Sequence, residues 1–69
     1  MKKIELYLKY MNKLKRTEQS IDIYFNDLEP EFVVKIINNI DNSQTKHFRN
    51  DRLKRAIKEA CEYLLNENN

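Results

Sequence analysis

The chain has 69 residues, 35% of them charged and 41% hydrophobic, with a formal net charge of +2. That length suits one small domain, residues 1–69, whose core supplies about 3 to 5 kcal/mol of net stability and leaves little room for a buried catalytic cleft. The composition suits a folded, soluble protein rather than a disordered one, and no apolar run approaches the roughly 18 residues of a membrane span. Glu5, Lys9 and Lys13 interrupt the apolar stretch of a signal peptide, and the single cysteine, Cys61, agrees with a reducing compartment, so a cytoplasmic protein is expected.

The first predicted element is a helix over residues 2–16. Ile4, Tyr7, Leu8, Met11 and Leu14 recur on one helical face, and neither Gly nor Pro interrupts the run. Leu6 and Tyr10 lie outside that stripe and widen the apolar arc to roughly 200°, more than one sheet face covers. They are therefore a candidate apolar interface, the alternative being a small core that wraps further around the helix.

From Ser20 the period changes to two. Ile21, Ile23 and Phe25 alternate with Asp22, Tyr24 and Asn26, which predicts a strand over residues 20–26 with its first set buried and its second set wet. Residues 32–40 carry both patterns, because Phe32, Val33, Ile36, Ile37 and Ile40 also make a helical stripe behind Pro30. The β-branched density of Val33, Val34, Ile36 and Ile37 decides for a strand, and the strand at 20–26 needs a neighbour. Between them Asp27, Glu29 and Glu31 read as a solvated acidic turn. Asp41, Asn42 and Ser43 then turn the chain into a third strand over residues 45–49.

The last element is a helix over residues 50–66, capped by Asn50 or Asp51. Leu53, Ala56, Ile57, Ala60, Cys61 and Leu64 form its buried face. Arg52, Arg55, Lys58, Glu59 and Glu62 lie opposite, with Arg55 to Glu59 and Lys58 to Glu62 at ion-pair spacing. The Asn-rich end, Asn66 to Asn69, is expected to fray. These elements predict an α+β domain of order α-β-β-β-α, with two helices on one face of a short antiparallel sheet.

Charge in the last helix runs against the helix dipole. Lys46, Arg49, Arg52, Lys54, Arg55 and Lys58, with His47, stand against Asp51 alone, while Glu59, Glu62 and Glu67 collect at the far end. Helix stability favours acids first and bases last, each worth about 0.3 to 1 kcal/mol. A local rule broken this consistently marks function or a compensating contact, and Lys and Arg beside free helix amides make an anion site. The six basic residues are the candidate binding set, for a phosphate backbone or an acidic protein surface. Residues 1–16 hold six bases and one acid, residues 17–45 one base and six acids, and residues 46–69 six bases and four acids. Part of the field is thus internal complementarity if the terminal helices flank the acidic middle.

No catalytic, metal or cofactor chemistry is expected. His47 falls on a strand and Cys61 on a buried helix face, so they do not make a nucleophile and base, and Cys61 reads as a core side chain. Zinc-ligand spacing is missing, and a chain without Gly has no phosphate-cradling loop of the usual kind.

The element order, the basic opening of the last helix, and Ala56, Ala60-Cys61 and Leu64-Leu65 resemble the double-stranded-RNA-binding domain. That resemblance implies phosphate contacts from Lys54, Arg55 and Arg52. Two departures go with it: Leu53 stands where the family's paired lysines begin, and its glycine-bearing strand connection has no counterpart. In size and Lys/Asn/Ile-rich character the chain also resembles the small inhibitors of phages and mobile elements, anti-CRISPR proteins included. This implies a non-enzymatic protein that occludes a host nucleic-acid-handling complex by stoichiometric binding, with Leu6 and Tyr10 as anchors and Arg49, Arg52 and Arg55 as directed charges. Direct RNA or DNA binding is the runner-up. A ribbon-helix-helix dimer, with residues 32–40 helical, is third, and a small structural subunit of a larger complex is a further alternative. Either a monomer or a homodimer is compatible with these readings.

Overall fold

The computed structural model describes residues 2–67, and side chains from Ile4 onward. Helix α1 (Lys2–Leu14) leads into β1 (Gln19–Asn26) and β2 (Glu31–Asn38); a 3₁₀ turn (Asn42–Gln44) precedes β3 (Lys46–Asn50), and α2 (Leu53–Glu67) closes the chain. The strands form one antiparallel sheet in the order β1-β2-β3, so β2 is central. The element order and the sheet are those the sequence predicts.

Register assigns the faces. Ile21 lies opposite Ile36, Ile23 opposite Val34, and Val34 opposite Phe48. Opposed residues of an antiparallel pair share a face, and these five pack with Met11 of α1 and with Ala56, Ile57, Ala60, Cys61 and Leu64 of α2. Both helices therefore cover one face. Ala56 and Ala60 add little bulk, which lets α2 lie close over β2 and β3, while α1 packs against α2 on the β1 side. Met11, wholly buried between helix and sheet, is the kind of residue whose truncation to Ala costs about 2 to 5 kcal/mol, as much as such a domain holds.

Both helices end at the same end of the molecule. The guanidinium of Arg16, just past α1, lies 3.7 Å from the Glu67 carboxylate at the end of α2. Gln19 joins them: its Oε1 accepts the Arg16 N–H at 2.7 Å, and its Nε2 donates to Glu67 at 3.3 Å. The side chain of Gln19 thus closes α1 where a glycine often would, and no described residue has positive φ. The opposite end holds the β1–β2 turn and the start of α2.

Several boundaries differ from expectation, each for a local reason. Helix α1 stops at Leu14 and not at 16, because Gln19 captures the Arg16 amide. Strand β2 stops at Asn38 and not at 40: its Oδ1 accepts the N–H groups of Ile40 and Asp41 and turns the chain, leaving Ile40 84% exposed. Helix α2 starts at Leu53 and not at 50, since Asn50 pairs with Phe32 in the sheet. Asn50 Oδ1 still accepts the Arg52 N–H at 3.0 Å, and the first helical bond runs from Ala56 N–H to Arg52 O. Phe25, expected in the core, is 47% exposed, and it packs edge-on against Phe32 with ring centroids 4.9 Å apart. The expected fraying includes Asn68 and Asn69, which lie outside the described residues.

Candidate functional site

All six predicted basic residues are exposed, but they do not form one patch. Lys46 and Arg49 belong to β3, and Lys46 sits at the opposite end of that strand from the α2 start, opposite Ile36. At about 3.3 Å per residue the strand carries it roughly 13 Å from Asn50. Arg49 lies on the uncovered face of the sheet. Its Nη1 is 3.5 Å from Glu31 Oε1, across from the acidic turn. Glu31, expected to be solvated, is thus partly buried and paired, although an exposed pair of this kind contributes at most about 1 kcal/mol.

Arg52, Lys54 and Arg55 gather around the first turn of α2, with Lys58 one turn further along. That first turn contains no acid. The four-residue pairs expected along α2 do not close: among the described residues the ion pairs are Arg16–Glu67 and Arg49–Glu31. Arg55 and Lys58 are thus left as open charges.

The register brings a second charge to the same end. Asn26 pairs with Glu31 at the mouth of the β1–β2 hairpin, and Phe32 pairs with Asn50 immediately before α2. The turn Asp27–Leu28–Glu29–Pro30 therefore stands beside the basic start of α2. Leu28 at its tip is 94% exposed, and the Phe25–Phe32 pair lies just behind it. Sequence reading passed over Leu28, a lone apolar residue among acids, and placed Phe25 in the core. The signal available was a large aliphatic residue where a turn needs none.

Leu6 and Tyr10 are exposed by 64% and 45%, on the other helix. Since α1 ends at the Glu67 corner, it begins at the hairpin end, and Leu6 faces solvent in that half.

The uncovered sheet face carries Tyr24, Lys35, Ile37, His47 and Arg49. Lys35, Ile37, Asn42, Thr45 and His47 line a shallow groove of about 380 Å³ there. Its rim is tied by side-chain hydrogen bonds: Asn38 N–H donates to Thr45 Oγ1, and Asp41 accepts from the Ser43 N–H and hydroxyl. The Ser43 hydroxyl bond, then its backbone N–H, holds the Asp41 carboxyl below its ordinary pKa.

Comparisons with protein families, curated proteins and solved structures gave no match. Function must therefore be argued from this chain's own chemistry. Cys61 is buried, and that burial, followed by the neighbouring Glu62 charge, pushes its thiol pKa up, away from thiolate reactivity. Among the described residues no group of three or more His, Cys, Asp and Glu side chains is placed to hold a metal ion, and no helix is long and apolar enough to cross a membrane.

Proposed function

We propose that this chain is a small, non-enzymatic, cytoplasmic binding protein that acts by stoichiometric occlusion of a host complex that handles nucleic acid, as small phage and mobile-element inhibitors do. The observation that carries this reading is the mixed character of the hairpin end, where the acidic turn, the exposed Leu28 and the Phe25–Phe32 pair adjoin the basic start of α2. A surface made for phosphates alone would not set Asp27 and Glu29 beside its cations, because like charge repels the backbone. Apolar anchors ringed by charges of both signs instead suit a protein surface, where the anchors supply affinity and the charges set orientation. Complexes that handle nucleic acid present acidic and basic patches together, and Leu6 in the first half of α1, with Tyr10 one turn further along, extends the apolar contact.

A second reading, direct RNA or DNA binding, is favoured by the exposure of Arg52, Lys54 and Arg55 at the opening of the last helix. One experiment separates the two: capture of partners from host lysate with the tagged chain, with and without nuclease. A protein retained after nuclease and lost with both Leu28→Asp and Arg52→Glu/Arg55→Glu supports occlusion. Capture abolished by nuclease, together with purified RNA or DNA affinity falling by about 0.9 log units per log unit of salt for each duplex phosphate neutralised, overturns it in favour of direct binding.

A further inference from the structure

The two edges of the sheet are guarded very differently. β3 is five residues long and carries Lys46, His47 and Arg49, so its free edge is short and cationic. Those are the devices that keep strand edges from pairing with other chains. β1 is eight residues, Gln-Ser-Ile-Asp-Ile-Tyr-Phe-Asn, with no Lys, Arg or Pro, and it pairs with β2 through eight successive positions without a bulge. Its single charge is Asp22.

The hydrogen-bond phase shows what that edge offers. Asn39 N–H donates to Glu18 O at 2.8 Å, in line with the β1–β2 register. Antiparallel bonding alternates along a strand, so Ser20, Asp22, Tyr24 and Asn26 bond to β2, and Ile21, Ile23 and Phe25 turn their N–H and C=O outward. Two bonds confirm the phase: Gln19 N–H goes to Arg16 O and not to β2, and Asn38 N–H goes to Thr45 Oγ1 and not to β1. Among the described residues no strand, helix or loop takes up the outward groups of Ile21, Ile23 and Phe25.

We infer that the β1 edge is a homodimer interface, in which two copies pair antiparallel about a twofold axis through Ile23 and join their sheets into one. Phase and chemistry select this register. Ile23 meets Ile23 of the second copy as a doubly hydrogen-bonded pair, and Ile21 meets Phe25, which lays a continuous apolar seam on the helix-bearing side. Phe25, left 47% exposed in one chain, gains cover there. On the other face Asp22 meets Tyr24, so no like charges oppose. A shift that centres the axis on Asp22 sets the two carboxylates against each other at the closest strand spacing. A shift to Tyr24 matches Ile21 with Asp27 in the turn. The occupant is therefore another copy, because this strand complements itself.

Sedimentation equilibrium on the full chain tests this, with two substitutions at the same exposed site. Tyr24→Asp places carboxylates opposite Asp22 on both sides of the axis, whereas Tyr24→Lys places ammonium groups there with the same loss of the ring. The expected result is a concentration-dependent monomer–dimer equilibrium, at least about tenfold weaker in Tyr24→Asp than in Tyr24→Lys. Amide exchange of the unaltered chain supplies a readout independent of any variant: Ile21, Ile23 and Phe25 should gain protection as concentration rises, while His47 and Arg49 should not. A chain that stays monomeric at millimolar concentration overturns the proposal. So does a dimer that responds equally to both substitutions, or one whose protection rises along β3.

Discussion

Reversing both arginines at the start of α2, Arg52→Glu with Arg55→Glu, should separate binding from folding. Both side chains are exposed, and the first turn of α2 has no acid. Each substitution removes one unfavourable dipole interaction and adds a favourable one, about 0.6 to 2 kcal/mol per site at low ionic strength. Solvent exposure places both near the bottom of that range. The acidic turn at the same end of the molecule offsets part of the roughly 1.2 kcal/mol that the two sites supply together, through exposed charges that salt screens. The net gain is then about 0.5 to 1 kcal/mol, which in a domain of this size raises the melting temperature by roughly 2 to 8 °C. Thermal unfolding followed by circular dichroism, in low salt and again in molar salt, measures it. The rise should shrink in salt, and partner capture should be lost. A falling melting temperature would show that these arginines hold the fold together, and a gain untouched by salt would show that the dipole is not its cause.

Leu6→Ala/Tyr10→Ala should cost less than about 1 kcal/mol in urea unfolding while weakening partner affinity about thirty-fold, the effect of losing a hot-spot contact of about 2 kcal/mol; a loss of several kcal/mol in stability would make this flank part of the core. Gln19→Ala orphans the Arg16 N–H and removes a donor from Glu67, so urea unfolding should show a loss of about 1 to 3 kcal/mol, and a loss below about 0.5 kcal/mol would mean that water replaces the side chain. The hydrogen bond to Glu67, then burial and the Glu67 charge, raises the folded pKa of Tyr63. A raised pKa contributes stability that is complete below the unfolded value and is lost as pH rises through the folded one. The native chain should therefore lose stability more steeply than Tyr63→Phe above about pH 10; equal slopes in a pH series of melts would count against the linkage.

What was legible in the sequence was whatever depends on periodicity. The stripe through Ile4, Met11 and Leu14 and the alternation at Ile21 and Ile23 each declare an element and its inward face, because burial acts on every second or every third to fourth residue. The run at Val33 to Ile37 declares a strand by its β-branched density but not which face turns inward, since Val33 and Val34 on opposite faces are both buried. The ends of elements were less legible, since they are set by single side-chain bonds: Asn38 turns the chain before Ile40, and Gln19 stops α1 two residues early. The candidate surface was half visible. Six bases in a row of 13 residues mark a charged segment, but only the register shows that Lys46 leaves the group, that Arg49 turns to Glu31, and that the acidic turn joins Arg52 and Arg55. Nothing local in Leu28 says what will stand next to it.

The described backbone reaches every turn without a single positive φ, in a chain that contains no glycine at all. Each corner is made by a side chain that accepts neighbouring amides: Gln19 after α1, Asn38 after β2, Asp41 at the 3₁₀ turn and Asn50 before α2. Asn26 does the same for Leu28 within the hairpin. In a deep mutational scan, then, no corner should show the glycine-only profile typical of left-handed turns. Intolerance should fall on Gln19 and Asn38, whose amide groups are buried, and relax at Asp27 and Glu29, where the chain is held only through its neighbours. The corners are held by amide and carboxylate side chains, so each depends on the one polar residue that makes it.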